Sequence, residues 1–124
     1  MNTNEKYEMI VCVVNAGYSD TVMDAARDAG VSGGTVFHAR GTANKEAEAF
    51  FHITIQPEKD IVMMLVPAEI KDRVLHAIYK HAGLQSDGQG IAFSTPVSNA
   101  IGLTKLDMKK KAETEEKTEE ITEE

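Results

Sequence analysis

Positive charge, cysteine and long apolar runs are all scarce in this chain, and each shortage excludes something. Thirteen Lys and Arg stand against twenty Asp and Glu, a formal net charge of −7. A general binder of the phosphate backbone gathers cations on one face, so nucleic acid is excluded as the expected partner. The one cysteine, Cys12, rules out a disulfide within the chain. It lies in the apolar run of residues 9–14 and reads as a small hydrophobe packed in a strand. No run approaches the roughly 18 apolar residues that cross a bilayer, and no basic segment leads into an apolar one at the N-terminus. The expectation is a soluble, cytoplasmic protein without membrane insertion.

What is present fits one small domain. A chain of 124 residues with 42% hydrophobic content can build one core but hardly two, and a domain this small gains from oligomerisation. The composition changes near the C-terminus. From Lys105 onward five Lys face eight Asp or Glu, and Leu106, Met108 and Ile121 are the only large apolar residues. Too little surface can be buried there to offset the entropy of ordering. The chain therefore divides into a domain over residues 1–107 and an acidic tail over 108–124, expected to be disordered or loosely helical.

Two segments share one grammar: residues 29–42, AGVSGGTVFHARGT, and residues 81–93, HAGLQSDGQGIAF. In each, an Ala-Gly pair closes a helical pattern, glycine and polar residues turn the chain, and an apolar run leaves as a strand. Residues 8–14 are short, apolar and β-branched, which predicts a buried strand. Ser19 or Asp20 can cap a helix with Val22, Met23, Ala25, Ala26 and Ala29 on its apolar side and Gly30 as its stop. Residues 35–39 form the next strand, and residues 40–49 an exposed loop.

Residues 50–56 alternate as a strand, Pro57 demands a bulge or turn, and residues 61–66 continue as an apolar strand; one bent strand or two remain open. Pro67 suits the first position of a second helix, with Ile70, Val74, Ala77, Ile78 and Ala82 as its core stripe and Gly83 as its end. Glu69 and Arg73 are spaced to pair, and Lys80 and His81 complement the helix dipole. Residues 91–94 make the last strand. The order strand, helix, strand, strand, helix, strand predicts an α+β, ferredoxin-like double βαβ fold, with an antiparallel sheet and both helices on one face. Residues 9–14 and 61–66 are apolar on both sides, so the uncovered face is expected to meet another subunit.

Chemistry is sparsely signalled. Gly33-Gly34 runs from helix to strand, whereas phosphate-binding glycine loops run from strand to helix. His76 and His81, five apart, are splayed around their helix. His38 and His52 flank the polar loop and can form a cross-strand pair, which makes a metal-binding protein the alternative reading. No Ser-His-Asp order, carboxylate pair or nucleophile elbow stands out, so enzymatic activity is not expected. Residues 83–90, GLQSDGQG, have enough exposed backbone N–H groups to wrap an anion.

Residues 30–36 (GVSGGTV), then Arg40-Gly41, Ala82-Gly83 through Asp87-Gly88, and Phe93-Ser94-Thr95-Pro96-Val97 resemble the PII signal-transduction proteins in order and spacing, over roughly residues 8–103. The resemblance implies a trimer that binds a small effector, an adenine nucleotide in the family pattern, in clefts between subunits. A loop after the second strand then engages a membrane transporter or an enzyme. On that pattern Ser32 matches the hydroxyl near the adenine, Met63 and Met64 line the base pocket, Asp87 and Gly88 belong to the phosphate loop, and Gly41 opens the mobile loop of residues 41–50. With Thr42 and Gln89 these are the expected ligand-binding residues; no catalytic or metal site is implied.

The departures are specific. Gln89 replaces the lysine that follows in the family's phosphate loop, and two expected arginines are replaced around Gly102 and Thr104. A charge-assisted contact to phosphate is worth about 1.5–3 kcal/mol, so three losses weaken triphosphate binding severely. The loop is short and lacks tyrosine, which excludes control by uridylylation, and Asn44 and Lys45 replace the family's Arg and metal-binding Gln. A smaller or less charged effector fits better. The alternatives are a trimeric metal-binding protein similar in fold to the CutA family, using His38 and His52, and a small oligomeric ferredoxin-like enzyme.

Overall fold

The computed structural model describes residues 6–42, 57–85 and 90–102. Its elements are β1 (Tyr7–Asn15), α1 (Ser19–Asp28), β2 (Thr35–Arg40), β3 (Glu58–Pro67), a 3-10 turn (Ala68–Ile70), α2 (Lys71–His81) and β4 (Gly90–Val97). All three strand pairings are antiparallel, in the order β2-β3-β1-β4. Joining β1 to the non-consecutive β3 and β4 is the ferredoxin-like arrangement expected from the order of elements. The expected strand over residues 50–56 and the acidic tail lie outside the described residues.

Alternation explains the layers. In β1, Ile10, Cys12 and Val14 point to the helices and are buried, as are Val62, Met64 and Val66 of β3. From α1, Val22, Met23, Ala25 and Ala26 close over them, joined by Val74 and Ile78 of α2. Val22, Val74 and Ile78 are fully buried, and each contributes about 1.5–3 kcal/mol of transfer free energy. Burial pushes the Cys12 thiol up to about 12, so it remains protonated and serves as core. Gly30, at φ +111°, accepts the left-handed turn that stops α1, and Gly83, at φ +79°, does so after α2.

The other residues of the same strands form the open face. Phe37, Leu65, Ile91 and Phe93 are exposed there, Ile91 at 60% and Phe93 at 47%. Among the described residues nothing covers this apolar sheet surface, as the two-sided strands required.

Two local expectations are corrected. Pro67 does not start a helix: it ends β3 with φ −57° and ψ 137°, opposite Tyr7 in the ladder. The next residue, Ala68, donates its N–H to Lys6 O at 2.9 Å, and this extension of the sheet delays α2 until Lys71. Arg73 does not pair with Glu69. Its Nε donates to Ala29 O at 2.9 Å, satisfying a carbonyl at the C-terminal end of α1.

Gly34 and Gly33 are adjacent yet differ in what they require. A Cβ on Gly34 would lie 2.9 Å from both Met63 O and Met64 Cγ and 3.1 Å from Met23 Sδ, whereas a Cβ on Gly33 meets nothing within 4 Å. Gly34→Ala should therefore cost about 1–3 kcal/mol through overpacking. Gly33→Ala should change stability by less than about 0.5 kcal/mol. Chemical denaturation of both variants checks the contrast.

Candidate functional site

Of the eight expected ligand-binding residues, Asp87, Gly88 and Gln89 lie outside the described residues. The other five fall into two groups. Ser32 is exposed in the turn before β2, and Met63 is half-buried on the open face of β3. Met64, its neighbour, points the opposite way and is 1% exposed within the core. The pair is divided by strand alternation, so Met64 supports the pocket from inside while Met63 faces outward.

A cleft of about 300 Å³ opens beside them, lined by Met9, Thr35, Met63, Met64, Leu65, Val97 and Ala100. Among the described residues, no ionisable side chain lines it. These residues give a phosphate no counter-charge.

Gly41 and Thr42 lie elsewhere. Thr35 is opposite Met63 in the β2–β3 ladder and Arg40 is opposite Glu58, so Gly41 is roughly 17–20 Å from the cleft at about 3.3 Å per residue. Gly41 donates its N–H to Pro57 O, closing the stem from which residues 43–56 leave. Gly90, which follows residues 86–89, pairs with Val14 at the same end of the sheet. A single chain does not unite the two groups.

The stem end holds polar residues that the family pattern did not supply. Asp60 occupies a helix-facing position of β3, and its side chain is 3% exposed. Its Oδ2 accepts the Gly17 N–H at 3.0 Å, and its Oδ1 lies 2.7 Å from His38 Nδ1. An ionised carboxylate can only accept, so the His38 Nδ1 carries the shared hydrogen. The Gly17 N–H first, then His38, hold the Asp60 carboxyl below the usual carboxylate range, against the opposing effect of burial. Beside it, Lys59 Nζ donates to Asn15 Oδ1 at 2.6 Å.

One signal in the sequence could have identified Asp60. Counting back by two from Val66, Met64 and Val62 puts an aspartate in line with the buried positions of its strand, where a carboxylate needs donors. The cross-strand partner of His38 is this Asp60, and His52 lies outside the described residues. Among the described residues, no group of three His, Cys, Asp or Glu side chains is placed to hold a metal ion.

Asp60→Asn replaces an acceptor-only group with one whose NH₂ faces donors. It should lower stability by about 1–3 kcal/mol at neutral pH. The depressed carboxyl in the folded state stabilises it above the unfolded value, about pH 3.9, and this contribution is lost as pH falls through the folded value. Urea unfolding of both proteins should show their difference shrinking below about pH 4.

Comparison with known proteins agrees with this architecture. The family described as Nitrogen regulatory protein P-II matches residues 7–105, a span containing every described strand and helix. Arabidopsis thaliana PII, solved bound to citrate, is 21% identical, with a TM-score of 0.62 over 83% of this chain and 85% of that one. A structure described as a PII-like signaling protein, from Thermus thermophilus, is 15% identical, with a TM-score of 0.56 over 74% of this chain and 86% of that one. At these identities the likeness to solved structures is one of fold. A comparison with curated protein sequences found no match. The family match carries the assignment: with its double βαβ sheet and its P-II pattern across residues 7–105, the chain belongs to the nitrogen regulatory protein P-II family.

Proposed function

We propose that this P-II family protein is a cytoplasmic, homotrimeric sensor without catalytic activity. It binds a small effector in clefts between subunits and signals through residues 41–50 to a membrane transporter or an enzyme. The observation that carries this reading is the P-II match over residues 7–105 on a sheet whose second face is apolar and uncovered by the described residues. Burying Phe37, Leu65, Ile91 and Phe93 requires a partner, and three copies packed face to face supply one. The same packing sets the stem of one subunit beside the cleft of the next. That would unite Ser32 and Met63 with Gly41 and Thr42, which a single chain keeps apart, and the expected site adds Asp87, Gly88 and Gln89 to them.

The charge inventory supports a modest effector. The cleft is apolar, and Gln89, Gly102 and Thr104 stand where the family pattern carries cations. An adenine nucleotide with few phosphates suits this inventory better than a triphosphate, because an unpaired phosphate charge would lose its hydration without a counter-ion. Citrate in the Arabidopsis structure is a ligand of that protein and supports small-ligand binding only as a family habit.

Two measurements test the reading. Sedimentation should give a trimer for the wild type, and Phe93→Glu, which sets a charge on the open face, should give monomers; a monomeric wild type would defeat the assembly. Calorimetry against AMP, ADP, ATP, cyclic nucleotides and bicarbonate should find at least one ligand, with ATP no tighter than AMP. Silence toward all five would refute this choice of effector class.

A further inference from the structure

Three consecutive residues of β3 serve two loops at once. On one side, Glu58 O accepts the Ala16 N–H at 3.1 Å, Lys59 Nζ donates to Asn15 Oδ1 and Asp60 Oδ2 accepts the Gly17 N–H. All three contacts fix the turn between β1 and α1. On the other side, Glu58, Lys59 and Asp60 stand opposite Arg40, Ala39 and His38, the last residues of β2 before the stem. The backbone alone would join these segments; Asp60 adds a side chain that touches both.

β2 is an edge strand, held in the sheet only by β3 among the described strands. Near its end, the His38 side chain is 88% exposed, so packing cannot explain its orientation. Its 2.7 Å bond to Asp60 can. The carboxylate divides its oxygens, Oδ1 to His38 on β2 and Oδ2 to Gly17 in the turn. His38 holds one oxygen of the carboxylate and thereby fixes the side-chain orientation that presents the other to the Gly17 N–H, so losing this contact loosens the Gly17 bond as well. A displacement of the β2 end thus changes the demand that Asp60 makes on the turn, and the converse holds by linkage.

We propose that Asp60 is a positioning residue that couples the β1–α1 turn to the stem at Gly41, with His38 as its contact on β2. The coupling is a property of the folded chain. Its use in signalling rests on the sensor reading above, and the test below needs no ligand, so failure of one is distinguishable from failure of the other.

The test is amide hydrogen exchange by NMR on the full-length protein. His38→Val keeps a β-former on an exposed site but removes the donor; His38→Asn keeps an N–H close to the position of Nδ1. In His38→Val, exchange at the Gly17 amide should accelerate about five- to tenfold, the loss expected for one charge-assisted bond in a shared set. The Ala16 amide, bonded to Glu58 O, should stay at the wild-type rate. His38→Asn should restore Gly17. From the other side, Asp60→Asn should accelerate exchange at both Gly17 and Gly41, whose N–H is bonded to Pro57 O, beyond any change in the β1 core amides. Equal rates at Gly17 in His38→Val and wild type would overturn the coupling. So would uniform acceleration at Gly17, Ala16 and the β1 core amides, which signals general destabilisation, or failure of His38→Asn to restore Gly17.

Discussion

Both faces of β1 and β3 are apolar, and the rest of the architecture answers the need to cover them. A strand of alternating character needs one cover; residues 9–14 and 61–66 need two. Two short helices supply the first, closing over Ile10, Cys12, Val14, Val62, Met64 and Val66. The second face, with Phe37, Leu65, Ile91 and Phe93 exposed, has no cover within the described chain. In the proposed trimer this face is where the subunits would meet, and the cleft beside Met63 sits on that same face.

Separation of the expected site residues follows from the same geometry. Met63 sits midway along β3 opposite Thr35, with Ser32 in the turn before β2, while Gly41 lies at the other end, where β3 begins. No bending of a rigid ladder brings them together. A site made from both groups has to be made between copies. Ligand binding, in the proposed function, is consequently tied to the contact between subunits rather than to the core of any one of them.

Around Asp60 the protein accepts an energetic liability. A carboxylate in a helix-facing position costs desolvation, offset here by the Gly17 N–H and His38. An aliphatic residue at that position would pack without needing donors. The polar choice ties the β1–α1 turn and β2 to one side chain, which aliphatic packing cannot do with the same directionality.

Much of this was legible locally. Short continuous apolar runs marked β1, β3 and the open face, and the glycines after Ala29 and Ala82 marked both helix ends, because these features depend on neighbours within a few residues. The corrected features depend on contacts distant in sequence. Pro67 stays in the sheet because it lies opposite Tyr7, at the far end of the ladder from the chain's point of view, and Arg73 turns from Glu69 to a carbonyl of α1. His38 faces Asp60 only because the β2–β3 register puts it there. The elements, their order and the need for a partner surface were written in the chain, since apolar periodicity encodes burial directly. Which polar groups meet was settled by the folded sheet, because strand register is fixed by all its strands together and a one-residue slip would exchange every pair.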